Sequence, residues 1–184
     1  KNNGLIKVIT GIRRSGKSFL LFNLFKNYLI NEGIREDHII ELNFDEFDNI
    51  KYCGPNNASP YLKGKIVDAD MYYFLLDEIQ LLNCFESVLN GLLRYNNVDI
   101  YVTGSNAKFL SKDVITKFRG RGDLVHVYPL SFSEFYEAKN IDKYDSLDEY
   151  LTFGGIQLII SMNTHESKIS FLNNLFVETY IKDI

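Results

Sequence analysis

The segment GIRRSGKS, Gly11 to Ser18, directly follows the apolar run LIKVIT and directly precedes a helix-forming stretch. It fits the pattern GxxxxGK[ST] in full, and that pattern functions only as a loop joining a buried strand to the start of a helix. Gly11 and Gly16 let the backbone turn so that amide N–H groups converge, and the helix beyond adds its dipole and free amides. A strand–loop–helix unit that cradles nucleotide phosphates is therefore predicted. Its expected contacts are Gly11, Ser15, Gly16, Lys17, Ser18 and Phe19, with Lys17 bridging the β- and γ-phosphates and the Ser18 hydroxyl ligating Mg²⁺. A solvated Gly/Ser/Arg turn is the competing reading, and the strand before and helix after it argue against that.

The rest of the chain repeats the alternation. Nearly uninterrupted apolar runs at Leu5–Thr10, Ile39–Phe44, Met71–Leu76 and Asp99–Thr103, with a fifth at Leu124–Tyr128, predict strands buried on both faces of a parallel sheet. Between them, Ser18–Ile30 carries apolar residues at helical spacing and meets Gly33 as a stop, and Cys84–Tyr95 has the same spacing. Lys51–Lys65, with CGPNNASP inside it, reads as a loop. Residues 1–128 are thus predicted to form a doubly wound α/β core.

From Pro129 only helices are expected. Ser131–Glu134 and Ser146–Glu149 both have capping-box spacing, and a last helix aligns Ile169, Leu172, Phe176 and Tyr180 on one stripe. Residues 129–184 are read as a helical segment leading into a further domain. The chain opens on Lys1 and closes on ETYIKDI without a stop signal, which predicts a fragment of a longer protein.

Composition narrows the class. A net charge of −4 over 184 residues gives no global field to draw in DNA or membrane phosphate. Cys53 and Cys84 lie far apart, with no CxxC, which predicts a reduced, cytoplasmic protein. No apolar run approaches the ~20 residues that span a bilayer, so no membrane partner is expected.

Three further segments carry chemistry. MYYFLLDEIQ delivers Asp77 and Glu78 at the carboxyl end of a strand, where open α/β sheets bind ligands. Asp77 matches a residue holding Mg²⁺ through water, and Glu78 a base for the water that attacks the γ-phosphate. DIYVTGSNAKFL ends a strand in small polar residues, of which Ser105 or Asn106 can reach the γ-phosphate or its attacking water. Asn106 equally suits an N-cap for a helix from Ala107. KFRGRGD offers Arg119 or Arg121 to the charge developing on a transferring phosphoryl group, in cis or in trans. A solvated loop is its alternative. Arg13 and Arg14 receive no role.

With these segments in order, the chain resembles the prokaryotic AAA+-type P-loop ATPases in which an ATPase domain precedes a C-terminal domain of unknown function. The matching blocks are ITGIRRSGKS, FLLDEIQ, YVTGSNAKFLS, TKFRGRG, VYPLSFSEF and Gly154-Gly155, followed by the closing YIKDI. The resemblance implies an additional-strand, three-layer P-loop core with the TGSN strand between the phosphate-loop and DEIQ strands. It implies ATP and Mg²⁺ as ligands, Lys17 and Ser18 as their contacts, and Asp77 and Glu78 as the acidic pair. Asn106 would be the sensor, and Arg121, rather than Arg119, the arginine finger. It also implies a homo-oligomer and a DNA or protein partner engaged through the further domain. One departure stands out: the family follows Gly-Gly and one apolar residue with Pro, whereas Gln157 stands here.

ATP hydrolysis is the leading expectation. A nucleotide-gated switch with slow turnover is the second, and a small-molecule P-loop kinase a poorer third, since only RGRG hints at a phosphate-binding lid.

Overall fold

The computed structural model describes residues 3–104, 118 and 120–181. Five strands form one all-parallel sheet: β1 (Ile6–Thr10), β2 (Ile39–Asn43), β3 (Tyr72–Asp77), β4 (Val98–Thr103) and β5 (Gly122–His126), in the order β2-β3-β4-β1-β5. The strand carrying Thr103 lies between the phosphate-loop strand and the DEIQ strand, as the resemblance implies. β1, β3 and β4 are buried at every position, which explains their continuous apolar runs.

Residues alternate between the two faces of the sheet, and each face is covered by different helices. Ile6, Val8, Ile40, Leu42, Tyr72, Phe74, Leu76, Ile100 and Val102 join Ala58 and Leu62 of helix α2 (Pro55–Gly64) and Phe85, Val88, Leu89 and Leu92 of helix α3 (Phe85–Leu92) in one core. Helix α1 lies on the other face. It begins as Lys17–Phe19, passes through a π-helical stretch, Leu20–Phe25, and ends as Lys26–Asn31. Its Phe25 ring sits 4.3 Å from that of Tyr101, and its Lys26 Nζ lies 2.5 Å from Glu41. This is a three-layer α/β P-loop fold. On the α1 face, Lys7 and Asp99 pair across β1 and β4 at 2.5 Å, and the Tyr101 hydroxyl donates to the same carboxylate at 3.0 Å. Each buried charge thus has its partner.

Two expectations are corrected. The stretch Lys51–Lys65 is not a loop: it takes in the end of a 3₁₀ turn, Phe47–Tyr52, and then helix α2. Pro55 stands in the first turn, where its missing N–H costs nothing, and Ala58 and Leu62, four apart, bury completely. Second, Ser146 caps no helix. Helix α5 (Lys143–Phe153) starts at Asp142, whose carboxylate accepts from the Tyr144 and Asp145 N–H groups, so Ser146 lies a turn inside. The capping box at Ser131–Glu134 is present and opens helix α4 (Phe132–Lys139).

The chain divides into two compact units, Lys1–Thr10 with Lys17–His126, and Gly11–Gly16 with Val127–Ile184. The second unit is helical: α4, α5, α6 (Gln157–Ile160) and α7 (His165–Phe176), which continues as a π-helical turn, Val177–Ile181. Phe153, Ile156, Ile159 and Leu175 make its small core, with Phe171 and Leu172 packed against it. The expected stripe on α7 is only partly inward. Leu172 is half-buried and Leu175 buried, while Ile169 and Phe176 face out. Gly155 is required by close packing, since a Cβ there would stand 2.0 Å from the Leu130 carbonyl oxygen. Among the described residues, no helix is long and apolar enough to cross a membrane.

Candidate functional site

The phosphate loop leaves β1 at Thr10. Gly11 is confined by its surroundings: a Cβ would meet the Val127 carbonyl oxygen at 2.3 Å and the Ser15 hydroxyl at 2.8 Å. A turn closed by the Ser15 N–H donating to the Ile12 carbonyl, with Arg14 at φ 65°, then carries the chain to Gly16 at φ 86°. Only glycine adopts that last conformation without strain. The Ser15 hydroxyl is buried and has no hydrogen-bond partner among the described residues. An orphaned buried hydroxyl in a loop of this shape suits a ligand oxygen, because its burial is otherwise uncompensated. Arg13 and Arg14 turn away toward α7: both face Glu178, at 4.0 and 3.7 Å, and Arg14 lies over the Phe171 ring. They anchor the loop to the end of its own unit. Beside it is a cavity of about 390 Å³ lined chiefly by Ile12, Ile156, Leu172, Leu175 and Phe176.

Gln157 is the residue that sequence reasoning noticed only as a departure. Its side-chain amide lies where a Cβ on Gly16 would be, at 2.6 and 2.8 Å from its oxygen and nitrogen, so it rests on the phosphate loop. The first residue of α1, Lys17, is buried, while Ser18 and Phe19 are exposed.

In the first unit, β3 ends at the acidic pair. Asp77 is 2% exposed. Thr103, at the end of the neighbouring β4, donates its hydroxyl hydrogen to Asp77 Oδ1 and accepts the Glu78 N–H at 3.1 Å. One hydroxyl therefore ties the two acids to the adjacent strand. Glu78 has a left-handed backbone, φ 52°, ψ 47°, a conformation that costs a non-glycine residue and concentrates at functional sites. Gln80 donates from Nε2 to Glu78 Oε2, which fixes where that carboxylate points. Thr103 and Gln80 had no assigned roles in the sequence reading. Strand pairing brings Thr103 to the acids and the turn after Glu78 brings Gln80 to its carboxylate, and both arise only on folding.

Of the remaining predicted residues, Ser105, Asn106 and Arg119 lie outside the described residues. Arg121 is exposed and precedes β5; its carbonyl accepts the Ile6 N–H at 2.7 Å. That places it at the amino-terminal edge of the sheet, whereas Asp77 lies at the carboxyl edge. The run of β1 from Ile6 to Thr10 corresponds to about 13 Å. Arg121 and the acidic pair are not brought together within one chain.

Known proteins share this architecture. An uncharacterized protein from Haemophilus influenzae is 36% identical over 190 residues, covering all of this chain and 47% of its own length. An uncharacterized protein from Methanocaldococcus jannaschii is 27% identical, covering 97% of this chain and 42% of its own. The chain thus spans about half the length of these curated relatives. Among solved structures, C. elegans PCH-2 matches with a TM-score of 0.56 at 18% identity, over 83% of this chain and 41% of that one. A DNA polymerase III gamma subunit-related protein from Thermotoga maritima matches at 0.54 and 10%, over 95% of this chain and 74% of that one. Both likenesses show the fold. A family model for the AAA domain matches residues 3–136. With the glycine-shaped loop after β1 and the acidic pair after β3 in place, the chain belongs to the AAA domain family, whose function is of the P-loop nucleotide-binding, ATPase-like kind.

Proposed function

We propose that this domain binds ATP with Mg²⁺ and hydrolyses it to ADP and phosphate. The observation that carries the reading is the Thr103 link, which holds Asp77 and Glu78 together at the carboxyl edge of the sheet. In this reading the loop amides, the orphaned Ser15 hydroxyl and Lys17 hold the phosphates, and Ser18 and Asp77 hold Mg²⁺. Held by Ser18 and Asp77, Mg²⁺ would supply charge neutralisation to the bound phosphates. Glu78, aimed by Gln80, takes the proton of the water that attacks the γ-phosphate in line. The apolar cavity beside the loop, next to Ile12 and Ile156, accepts the base. An arginine completes the charge stabilisation, and Asn106 positions the water. A homo-oligomer and a DNA or protein partner fit the same reading, as does a cytoplasmic location.

Lys17→Ala tests the binding step. Losing a charge-assisted hydrogen bond costs about 1.5–3 kcal/mol, or about 10- to 150-fold in affinity. Titration of the full-length variant with a fluorescent ATP analogue should show at least the lower loss. Unchanged affinity would remove the phosphate loop from the account.

A further inference from the structure

The amino-terminal edge of the sheet carries a second cluster of ligating groups. His38 ends a 3₁₀ turn, Glu36–His38, just before β2, while Asp68 and Asp70 lie in the loop before β3. One ligand atom from each of the three falls within 4.8 Å of the others. His38 is 3% exposed, and its Nε2 has no hydrogen-bond partner among the described residues although it lies 3.3 Å from Asp68 Oδ2. A buried ring nitrogen 3.3 Å from a carboxylate oxygen, but not aligned to hydrogen-bond it, sets two candidate ligand atoms side by side at a position a cation can fill.

The surroundings are built rather than incidental. Tyr72 stacks on the imidazole at 4.2 Å and 16°, which fixes the ring. The Asp70 N–H donates to Asp68 Oδ1 at 3.0 Å and leaves Oδ2 toward His38. Asn97 donates to the carbonyls of both Asp68 and Asp70, which pins the loop.

Charge is left uncompensated. Asp37, Asp68 and Asp70 contribute three negative charges, against one positive charge from Arg35. Arg35 spends itself on Asp37, through Nε at 3.0 Å and Nη2 at 2.5 Å, and reaches Asp68 and Asp70 only at 3.7 and 3.9 Å. An excess of two negative charges matches a divalent ion. The spacing matches as well, because bonds of ~2.1 Å in a tetrahedron put neighbouring ligands about 3.4 Å apart. An imidazole beside carboxylates selects zinc over magnesium or calcium, which prefer oxygen alone.

We propose that His38, Asp68 and Asp70 form a zinc site, completed by water, at the edge of the sheet opposite Asp77. Asp68 is 37% exposed and Asp70 71%, so the site is open to solvent on one side.

The test is zinc affinity of the chelator-treated full-length protein in the absence of nucleotide, measured by competition with a chromogenic chelator, with Co²⁺ absorption as a second readout. One zinc per chain is expected. Asp70→Asn, at an exposed position where folding is unaffected, should weaken binding at least tenfold. Arg35→Met should tighten it by removing the competing cation, and zinc should raise the unfolding temperature of the parent protein but not of Asp70→Asn. Absence of zinc uptake would mean that His38 and Asp68 form an ordinary ion pair, and would overturn the proposal. Uptake that survives Asp70→Asn but disappears on replacing Cys53 and Cys84 would overturn it equally.

Discussion

Glu78→Gln should slow ATP hydrolysis by about 10²–10⁴-fold while leaving ATP bound. The substitution is nearly isosteric. It keeps an oxygen to accept from Gln80 and leaves the backbone link to Thr103 untouched, so the geometry at the end of β3 persists. What disappears is the proton acceptor. Single-turnover hydrolysis should therefore fall with kcat, whereas equilibrium binding of ATP should stay within a few-fold of the parent. If hydrolysis continued at the parental rate, Glu78 would not be the base, and its strained backbone would need another explanation.

The larger effect is expected at Arg121. In the proposed reading it supplies the charge that an arginine finger contributes, which is worth about 10³–10⁵ in rate. Its backbone is bonded to the first residue of β1, at the edge of the sheet away from Asp77, so the reading requires it to act on a neighbouring copy. Two consequences follow. Turnover per molecule should rise with protein concentration. Mixing Arg121→Ala with Glu78→Gln, each inactive alone, should restore measurable activity, because some interfaces then pair an intact acidic pair with an intact arginine. A failure to complement, with Arg121→Ala as active as the parent, would return Arg121 to the solvated-loop reading.

The sheet was legible because β1, β3 and β4 are buried on both faces, and such strands cannot carry polar alternation. β5 was placed two residues late for the opposite reason. It is an edge strand paired only with β1, its residues are largely exposed, and Gly122 and Asp123 enter it through register with Ile6 and Lys7 rather than through propensity. Helix α2 was hidden by Pro and Asn residues that suit turns. Its existence depends on tertiary burial of Ala58 and Leu62, which overrides local preference.

The site follows the same division. Covalent spacing writes GxxxxGK[ST] and Asp77-Glu78 into the chain, so those residues were found. Thr103, Gln80 and Gln157 act through contacts formed only on folding, across strands, around a strained residue, or from a helix 140 positions after the loop, and no local pattern announces them.

The most direct measurement is phosphate release by the full-length protein given ATP, with Mg²⁺ present and with Mg²⁺ removed by a chelator. Multiple turnovers that require Mg²⁺ are predicted. Nucleotide that binds but is never hydrolysed, at any protein concentration, would contradict the proposed ATPase and leave a nucleotide-gated switch in its place.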